Sequence, residues 1–294
     1  MQKITPHLWF DKEAEEAAKL YTSIFHNSKI KNITTIHNTP SGDSDIVTFD
    51  LAGQEFMAIS AGPLFKFNPS ISFFVTCASK GEVETLWKKL SQNGNVMMEL
   101  GEYPFSELYG WTEDRYGLSW QIGYMGGGEI HQKITPTLMF TGNVCGKAQE
   151  AIRFYASMFN DSKINNTVYY STEDEPDKEG TVKYVSFTLE GQDFAAMDSA
   201  RAQDTPFNEA ISLMVYCKTQ EEIDFFWNKL SAVPEAEACG WLKDKYGLSW
   251  QIVPAVMDEM MTSKDPQKIA RVTEAFLKMK KFDIEELKKA YSGK

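Results

Sequence analysis

The sequence predicts an α+β protein in which one domain occurs twice. Residues 110–122 and 240–252 are identical at ten of thirteen positions, at an offset of 130 residues. Residues 2–10 return at the same offset as residues 132–140. Within each copy, strand-like runs and helix formers follow the order β-α-β-β-β, twice over. A repeat period of this size indicates a duplicated domain rather than a solenoid, so we predict four such modules.

Insertions and deletions shift the offset along the repeat without breaking it. The offset rises to 134 at residues 155–159, to 138 at Gly191 and to 140 at Phe207, and is again 130 at Gly240. The second copy therefore gains about ten residues in its early loops and loses about ten before Gly240. The predicted division is a first domain at residues 1–124, a glycine-rich linker at 125–131, a second domain at 132–262 and a helical extension at 263–294.

The first module of each copy begins with an apolar, β-branched strand, at residues 4–10 in the first copy. Residues 13–25 predict a helix, since strong helix formers give one apolar face and acidic residues occupy the first turn. Three strands follow, at 29–37, 46–51 and 55–60. The Ala52-Gly53 pair before the last of them predicts a two-residue hairpin, with the glycine at positive φ.

The second module repeats this order with different residues. Residues 70–77 predict a strand, and Ser79 predicts the N-cap of a helix that ends near Leu90. Further strands are expected at 96–100, 110–113 and 118–124, the last two joined by a turn at 114–117.

The C-terminal extension has no counterpart after the first copy. Asp265 followed by Pro266 predicts a helix start, and Asp283 predicts the cap of a second helix that ends near Tyr291. These helices are expected to cover an otherwise exposed apolar patch; the alternative is a partner-binding arm.

Composition excludes several classes of partner. Lys and Arg total 30 against 41 Asp and Glu, which gives a net charge of −11, and no basic stripe occurs. Nucleic acid and anionic membranes are therefore not expected as partners. No signal peptide or long apolar run is found, so we expect a cytoplasmic protein. The cysteines lack C-x-x-C spacing, and Cys77 and Cys217 lie on apolar strands, where thiols are usually buried and unreactive.

Three motifs, each present in both copies, carry a resemblance to a known superfamily. They are I-T-P-x-L-x-F at the start, Y-x-S-x-F at the end of the first helix, and D-x-Y-G-L-S-W-Q-I at the end. With the paired modules, they resemble the PhnB-like branch of the vicinal oxygen chelate superfamily, which includes glyoxalases, bleomycin-resistance proteins and extradiol dioxygenases. The resemblance implies tandem glyoxalase-like domains whose modules pair into curved sheets around a cleft.

The branch is often labelled 3-demethylubiquinone-9 3-methyltransferase. The sequence, however, has no glycine-rich loop between a strand and a helix of the kind that binds S-adenosylmethionine in a Rossmann domain. The glycines at 126–128 lie between the copies and are predicted to form a hinge.

The resemblance also implies where a metal would bind. Metal-dependent relatives carry His or Glu on the first, fourth, fifth and eighth strands of the domain. Of the residues at the matching positions, only Asp198 could be an anionic ligand, and no histidine follows His131. Hydroxyls and amides bind transition metals weakly, so we expect no metal and no other cofactor. The matching positions are Thr5, Ser60, Ser72 and Gln121 in the first copy and Thr135, Asp198, Ser212 and Gln251 in the second.

In this superfamily a cleft can form between the first module of one domain and the second module of its partner. Carried over, this implies two unequal pockets, one of which the deletion before Gly240 is expected to have reshaped or made vestigial. His7 and Asp198 are candidate general bases, although a structural role is the favoured interpretation of His7. The amides of Gln121 and Gln251 either hydrogen-bond a ligand or hydrogen-bond a neighbouring backbone group inside the sheet. The first predicted pocket contains His7, Ser60, Ser212 and Gln251, and the second contains Thr137, Asp198, Ser72 and Gln121.

The tryptophans beside these glutamines have different predicted roles. Strand alternation places Trp120 and Trp250 in the core, whereas Trp111 and Trp241 are expected to wall the cleft.

Three functions remain open at this point. The first is a metal-independent protein that binds a small, partly aromatic molecule, as bleomycin-resistance proteins do. The second is a glyoxalase-like lyase, isomerase or transferase with an unknown substrate. The third is a structural pseudodimer without a ligand. Fusion of two copies should replace the homodimer of single-domain relatives, so we expect a monomer with internal pseudo-twofold symmetry.

Overall fold

The computed structural model describes residues 2–39, 41–201 and 205–294, and these form a mixed α+β fold. The strands, in chain order, are β1 (Ile4–Phe10), β2 (Lys29–Thr39), β3 (Gly42–Leu51), β4 (Gln54–Ser60), β5 (Ile71–Cys77), β6 (Asn95–Tyr103), β7 (Ser106–Glu113), β8 (Ser119–Tyr124), β9 (Ile134–Phe140), β10 (Lys163–Tyr169), β11 (Val182–Leu189), β12 (Gln192–Asp198), β13 (Ile211–Cys217), β14 (Trp241–Lys243) and β15 (Ser249–Pro254). The α-helices are α1 (Ala14–Ile24), α2 (Lys80–Leu90), α3 (Ala148–Ala156), α4 (Gln220–Leu230), α5 (Val256–Met261), α6 (Pro266–Phe276) and α7 (Ile284–Ser292).

The compact units of the structure differ from the sequence copies. Unit 1 comprises Met1–Lys66 and Asn208–Lys294, and unit 2 comprises Phe67–Phe207. Each unit therefore joins the first module of one copy to the second module of the other. The connection at residues 125–131, predicted as a linker between domains, lies within unit 2 between β8 and β9.

Each unit contains one sheet whose central strands come from different copies. In unit 1 the order is β14-β15-β13-β1-β4-β3-β2, and in unit 2 it is β10-β11-β12-β9-β5-β8-β7-β6. The central pairs, β1 with β13 and β5 with β9, run antiparallel. Parallel pairs flank both of them, β1 with β4 and β13 with β15 in unit 1, and β9 with β12 and β5 with β8 in unit 2.

Strand alternation separates the core from the opposite face of each sheet. In β1, Ile4, Leu8 and Phe10 are buried on one face, whereas Thr5 and His7 lie on the other. The thiols predicted to be buried, Cys77 and Cys217, are buried, and burial raises the pKa of each to about 12. Trp120 and Trp250 are fully buried, as predicted.

The C-terminal extension completes the unit 1 sheet. The deletion leaves β14 with three residues, whereas its counterpart β7 has eight and pairs with β6. Beside β14, the backbone N–H groups of Cys239 and Gly240 donate to the carbonyls of Met279 (2.8 Å) and Lys280 (2.7 Å). The extension thus lies beside the chain at the edge that β6 occupies in unit 2. This position supports the predicted covering role.

The helix caps of the extension are those predicted. The Asp265 side chain accepts from the N–H groups of Gln267 and Lys268, and the Asp283 side chain accepts from the N–H of Glu286.

In the described part of the chain, no helix combines the length and apolarity needed to cross a membrane.

Candidate functional site

One face of the unit 1 sheet gathers polar side chains near its centre. His7 of β1 lies opposite Ser212 of β13, and Thr5 lies opposite Met214. Met214 is in register with Gln251 of β15, and Gln251 with Trp241 of β14. Paired residues point to the same side of a sheet, so these side chains share one face. We call it the His7 face, defined by Thr5, His7, Ser212, Trp241, Ser249 and Gln251.

His7 is buried on this face, beside an aromatic ring. The residue is only 3% exposed, and burial lowers the pKa of its imidazole to about 3, so the ring is neutral at physiological pH. The imidazole meets the indole of Trp241 edge-on, with 5.3 Å between ring centroids. Trp9 contacts the same indole at 6.1 Å and the ring of Phe65 at 5.0 Å. Aromatic rings therefore line one side of the polar centre.

Several buried polar atoms of the His7 face have no hydrogen-bond partner among the described residues. They are Thr5 Oγ1, His7 Nδ1 and Ser249 Oγ. Gln251 Nε2 donates to Ser212 Oγ at 2.9 Å. An unpaired buried polar group costs on the order of 1–3 kcal/mol, so this concentration on one face needs an explanation.

The corresponding face of unit 2 satisfies its polar groups internally. We call it the Gln121 face, defined by Ser72, Tyr109, Trp111, Ser119, Gln121 and Thr137. Ser72 lies opposite Thr137, and Gln121 Nε2 donates to Ser72 Oγ at 2.7 Å while its Oε1 accepts from Tyr109 Oη at 2.7 Å. Trp111 Nε1 donates to Ser119 Oγ at 2.7 Å. Ser119, unlike its counterpart Ser249, is therefore paired.

Two substitutions between the copies and one changed contact explain the difference. His7 replaces Thr137, whose hydroxyl donates to the carbonyl of Thr135 at 3.4 Å. Cys239 stands where Tyr109 supplies the phenol that donates to Gln121. Trp241 contacts His7, whereas its counterpart Trp111 bonds to a serine. For these reasons the hydrogen bonding of the His7 face differs from that of the Gln121 face.

The structure separates Ser60 and Asp198 from the other predicted pocket residues. Ser60 is in register with Phe10 and Asp198 with Phe140, so both lie on the face opposite His7 and Thr137. Ser60 Oγ accepts from the N–H of Ala14 at the start of α1.

Asp198, like Ser60, accepts hydrogen bonds from backbone N–H groups near the start of a helix, and it accepts more of them. Its Oδ1 accepts from the N–H groups of Gly146 and Ala148, at 2.7 and 3.1 Å, and its Oδ2 accepts from Val182 at 2.9 Å. Burial raises the pKa of this carboxyl, although the backbone donors oppose the shift. A carboxylate held by two N–H groups at the start of α3 and one at the start of β11 has a structural role and is not an available base.

The register identifies the fourth-strand residues that sequence reasoning missed. Met57 of β4 lies beside His7, and Ala195 of β12 lies beside Thr137. Both predicted positions were displaced by three residues, an odd number, which exchanges the faces of a strand.

The residues on these two faces do not fit a catalytic metal. The strand positions that superfamily members use offer His7, Met57, Ser212 and Gln251 in unit 1, and unit 2 contributes no titratable group there. Hydroxyl, amide and thioether groups around one imidazole form a poor ligand set for a divalent ion. Across residues 2–39, 41–201 and 205–294, no cluster of three or more His, Cys, Asp or Glu could hold a metal.

Comparison with known proteins places this geometry in a family. A family model described as 3-demethylubiquinone-9 3-methyltransferase matches residues 2–123 and again 132–253. A solved structure from Bacillus cereus, described as a putative 3-demethylubiquinone-9 3-methyltransferase, PhnB protein, is 44% identical; the match covers 42% of this chain and 99% of that one, with a TM-score of 0.40. None of the curated proteins compared matches the chain.

A more distant likeness supports the fold alone. Glyoxalase I from Zea mays is 10% identical, and the match covers 85% of this chain and 93% of that one, with a TM-score of 0.54. The family model covers most of the sequence, once in each copy. The chain therefore belongs to the 3-demethylubiquinone-9 3-methyltransferase family, the PhnB-like branch of the vicinal oxygen chelate proteins, in a tandem two-domain form.

Proposed function

We propose that the protein binds a small, uncharged, partly aromatic molecule at the His7 face, without a metal. The observation that carries this proposal is the set of unpaired polar atoms on Thr5, His7 and Ser249, beside the indole of Trp241. A ligand with one donor and one acceptor would pair atoms that the chain leaves unpaired, and its apolar body would contact the aromatic rings.

The chemistry of the face favours an uncharged ligand. The imidazole of His7 is neutral because burial lowers its pKa to about 3, and the neighbouring groups are hydroxyls and an amide. A charged ligand would lose its hydration here without a countercharge in the centre of the face. The Gln121 face, with its hydrogen bonds already formed, is not expected to bind the same molecule.

The properties of the two candidate bases, His7 and Asp198, favour a binding function over a catalytic one. A histidine with a pKa near 3 is a weak base at neutral pH, and the carboxylate of Asp198 is held by backbone N–H groups on the other face. The chemistry in the family description, methyl transfer, would need a site for the methyl donor, and the sequence has no glycine-rich loop of the kind that binds S-adenosylmethionine in a Rossmann domain.

Native mass spectrometry of protein purified without denaturation from cell extract tests the proposal. The wild type is expected to retain a small molecule. His7→Thr, which gives unit 1 the residue of unit 2, should reduce its occupancy at least tenfold. Thr137→Val, the matched change on the Gln121 face, should leave occupancy unchanged. Retention that is lost in the Thr137 variant but kept in the His7 variant would contradict the assignment, as would metal-dependent turnover that requires His7.

We also infer a cytoplasmic monomer without a nucleic-acid or membrane partner. The net charge of −11 disfavours binding to nucleic acid and anionic lipid. Both central strand pairs join the two copies within one chain, so the pairing that a homodimer would provide is already supplied. Sedimentation equilibrium is expected to give the mass of one chain, 33.4 kDa.

A further inference from the structure

Unit 2 contains a cavity that belongs to neither face described above. It lies between α3 and strands β10 and β11, has a volume of about 230 Å³ and shares no residue with the Gln121 face. Ile152 of α3 and Val182 and Val185 of β11 form a buried apolar floor. This volume is below the roughly 300 Å³ at which drug-sized pockets begin, so only a small metabolite would fit.

The rim of the cavity carries a cation without an acidic partner. Arg153 lines the cavity from α3, is exposed, and forms no ion pair or side-chain hydrogen bond with any residue that the structure describes. The corresponding helix of unit 1 shows what has changed. There Lys19, the counterpart of Arg153, pairs with Glu15 one helical turn earlier, at 2.6 Å. In α3 the position of Glu15 is occupied by Gln149, so the acid is lost and the cation is kept.

Neutral hydrogen-bonding groups lie on the same rim. Gln149 and Arg153 are four residues apart and therefore neighbours on one side of α3. The Gln149 amide donates to the Tyr169 hydroxyl, and both residues line the cavity together with Thr167. A guanidinium beside a phenol and an amide, above an apolar floor, is complementary to a carboxylate that has a short hydrocarbon body.

We propose that this cavity binds a small organic monocarboxylate, whose carboxylate pairs with Arg153 and whose hydrocarbon chain packs on Ile152, Val182 and Val185. The site is independent of the His7 face. The replacement of the acid by Gln149 explains why the cation at the rim has no acidic partner on α3. The apolar floor disfavours a fully polar anion such as inorganic phosphate. Unit 1 is expected to lack an equivalent site because Glu15 already neutralises Lys19.

Titration of the intact protein with hexanoate and its uncharged isostere hexanamide, followed by ¹H–¹⁵N NMR, tests the proposal. Hexanoate is expected to shift the amide signals of residues around 149–153, 164–169 and 182–185. Hexanamide should bind at least tenfold more weakly, because a charge-assisted bidentate pair is replaced by a neutral contact.

Matched variants separate the guanidinium from a general surface effect. Arg153→Gln should remove the preference for hexanoate over hexanamide, whereas Lys19→Gln in α1 should leave it unchanged. Ile164→Trp, on the exposed edge strand β10, should weaken both ligands by filling the cavity while leaving the fold intact. Equal binding of the two ligands to the wild type would overturn the proposal. So would unchanged discrimination in Arg153→Gln, signal shifts centred elsewhere, or no binding at 50 mM.

Discussion

Asp244 explains why the repeated D-x-Y-G-L-S-W segment is so similar in the two copies. Its Oδ1 accepts from the N–H groups of Tyr246 and Leu248, at 2.8 and 3.1 Å, and its Oδ2 accepts from Trp250 Nε1 at 2.9 Å. Asp114 makes the same three bonds at the same distances in the first copy. The motif thus ties a turn to a buried indole, which is a structural role rather than a catalytic one.

Replacing this carboxylate should be costly. Asp244→Ala leaves three buried N–H donors unpaired, so we expect the free energy of unfolding to fall by about 3 kcal/mol or more. Urea denaturation measures the change. Asp43→Ala is the control: its carboxylate is 63% exposed, and among the described residues its only partner is His37, a contact worth little. Equal effects of the two substitutions would show that the hydrogen bonds of Asp244 do not stabilise the turn.

The buried imidazole of His7 predicts a specific pH dependence. Its pKa of about 3 lies below the ordinary value of 6.5, so the unfolded state binds the extra proton. The stability contributed by neutral His7 is therefore complete above pH 6.5 and is lost as the pH falls towards 3. Relative to His7→Thr, the wild type should lose about 1.4 kcal/mol per pH unit between pH 6 and 4.

Urea denaturation of both proteins at several pH values measures this slope. The exposed His26 provides the control, since His26→Thr should not reproduce the change. If the difference in unfolding free energy between wild type and His7→Thr did not change with pH, the imidazole would take up a proton as readily in the folded state as in the unfolded state.

At the scale of elements, the sequence predicts most strands and helices correctly. Alternation gives β1 at residues 4–10, and Ser79 caps α2 by accepting from the N–H of Glu82, as expected. Two features could not be predicted. The face of Ser60 depends on its exact register with β1, which a strand pattern alone does not fix. Helix α5, at Val256–Met261, has six residues and no capping side chain to mark its start.

Helix α5 brings a titratable group to unit 1. Burial and repulsion from Glu55 raise the pKa of Asp258 to about 6, against the attraction of Lys31 and a hydrogen bond with Tyr216. Because the folded pKa lies above the ordinary 3.8, the folded state binds the extra proton. The contribution of Asp258 is complete below pH 4 and is lost as the pH rises through 6.

Removing the charge should therefore stabilise the protein at high pH. Asp258→Asn is expected to gain about 1 kcal/mol over the wild type at pH 8, after allowance for solvent screening of a half-buried group, and about a third of that at pH 4.5. Chemical denaturation at the two pH values measures the effect, with Glu259→Gln on the exposed side of α5 as control. A gain at pH 4.5 as large as that at pH 8 would exclude ionisation of Asp258 as the cause.

At the scale of the whole chain, the sequence reveals the duplication but not how the halves combine. A repeat offset shows that residues 2–123 and 132–253 are homologous. That homology is the same whether the modules pair within one copy or between the two copies. The choice is made by strand pairing between distant residues, such as His7 with Ser212 and Ser72 with Thr137. Only the resemblance to a superfamily with partner-swapped clefts grouped His7 with Ser212 and Thr137 with Ser72, and the same grouping wrongly included Ser60 and Asp198.

This exchange of modules predicts how the protein behaves when it is cut. Residues 1–131 alone contain β1 and β5 without their antiparallel partners β13 and β9, so two strand edges would be exposed. We expect this fragment and residues 132–294 to aggregate or self-associate when each is expressed alone, because neither contains a complete sheet. Co-expressed, they should purify together in a 1:1 ratio and regain both sheets. Size-exclusion chromatography with circular dichroism provides the measurement. Two fragments that are each monomeric, with their own cooperative unfolding transitions, would show that the pairing between copies is dispensable for folding.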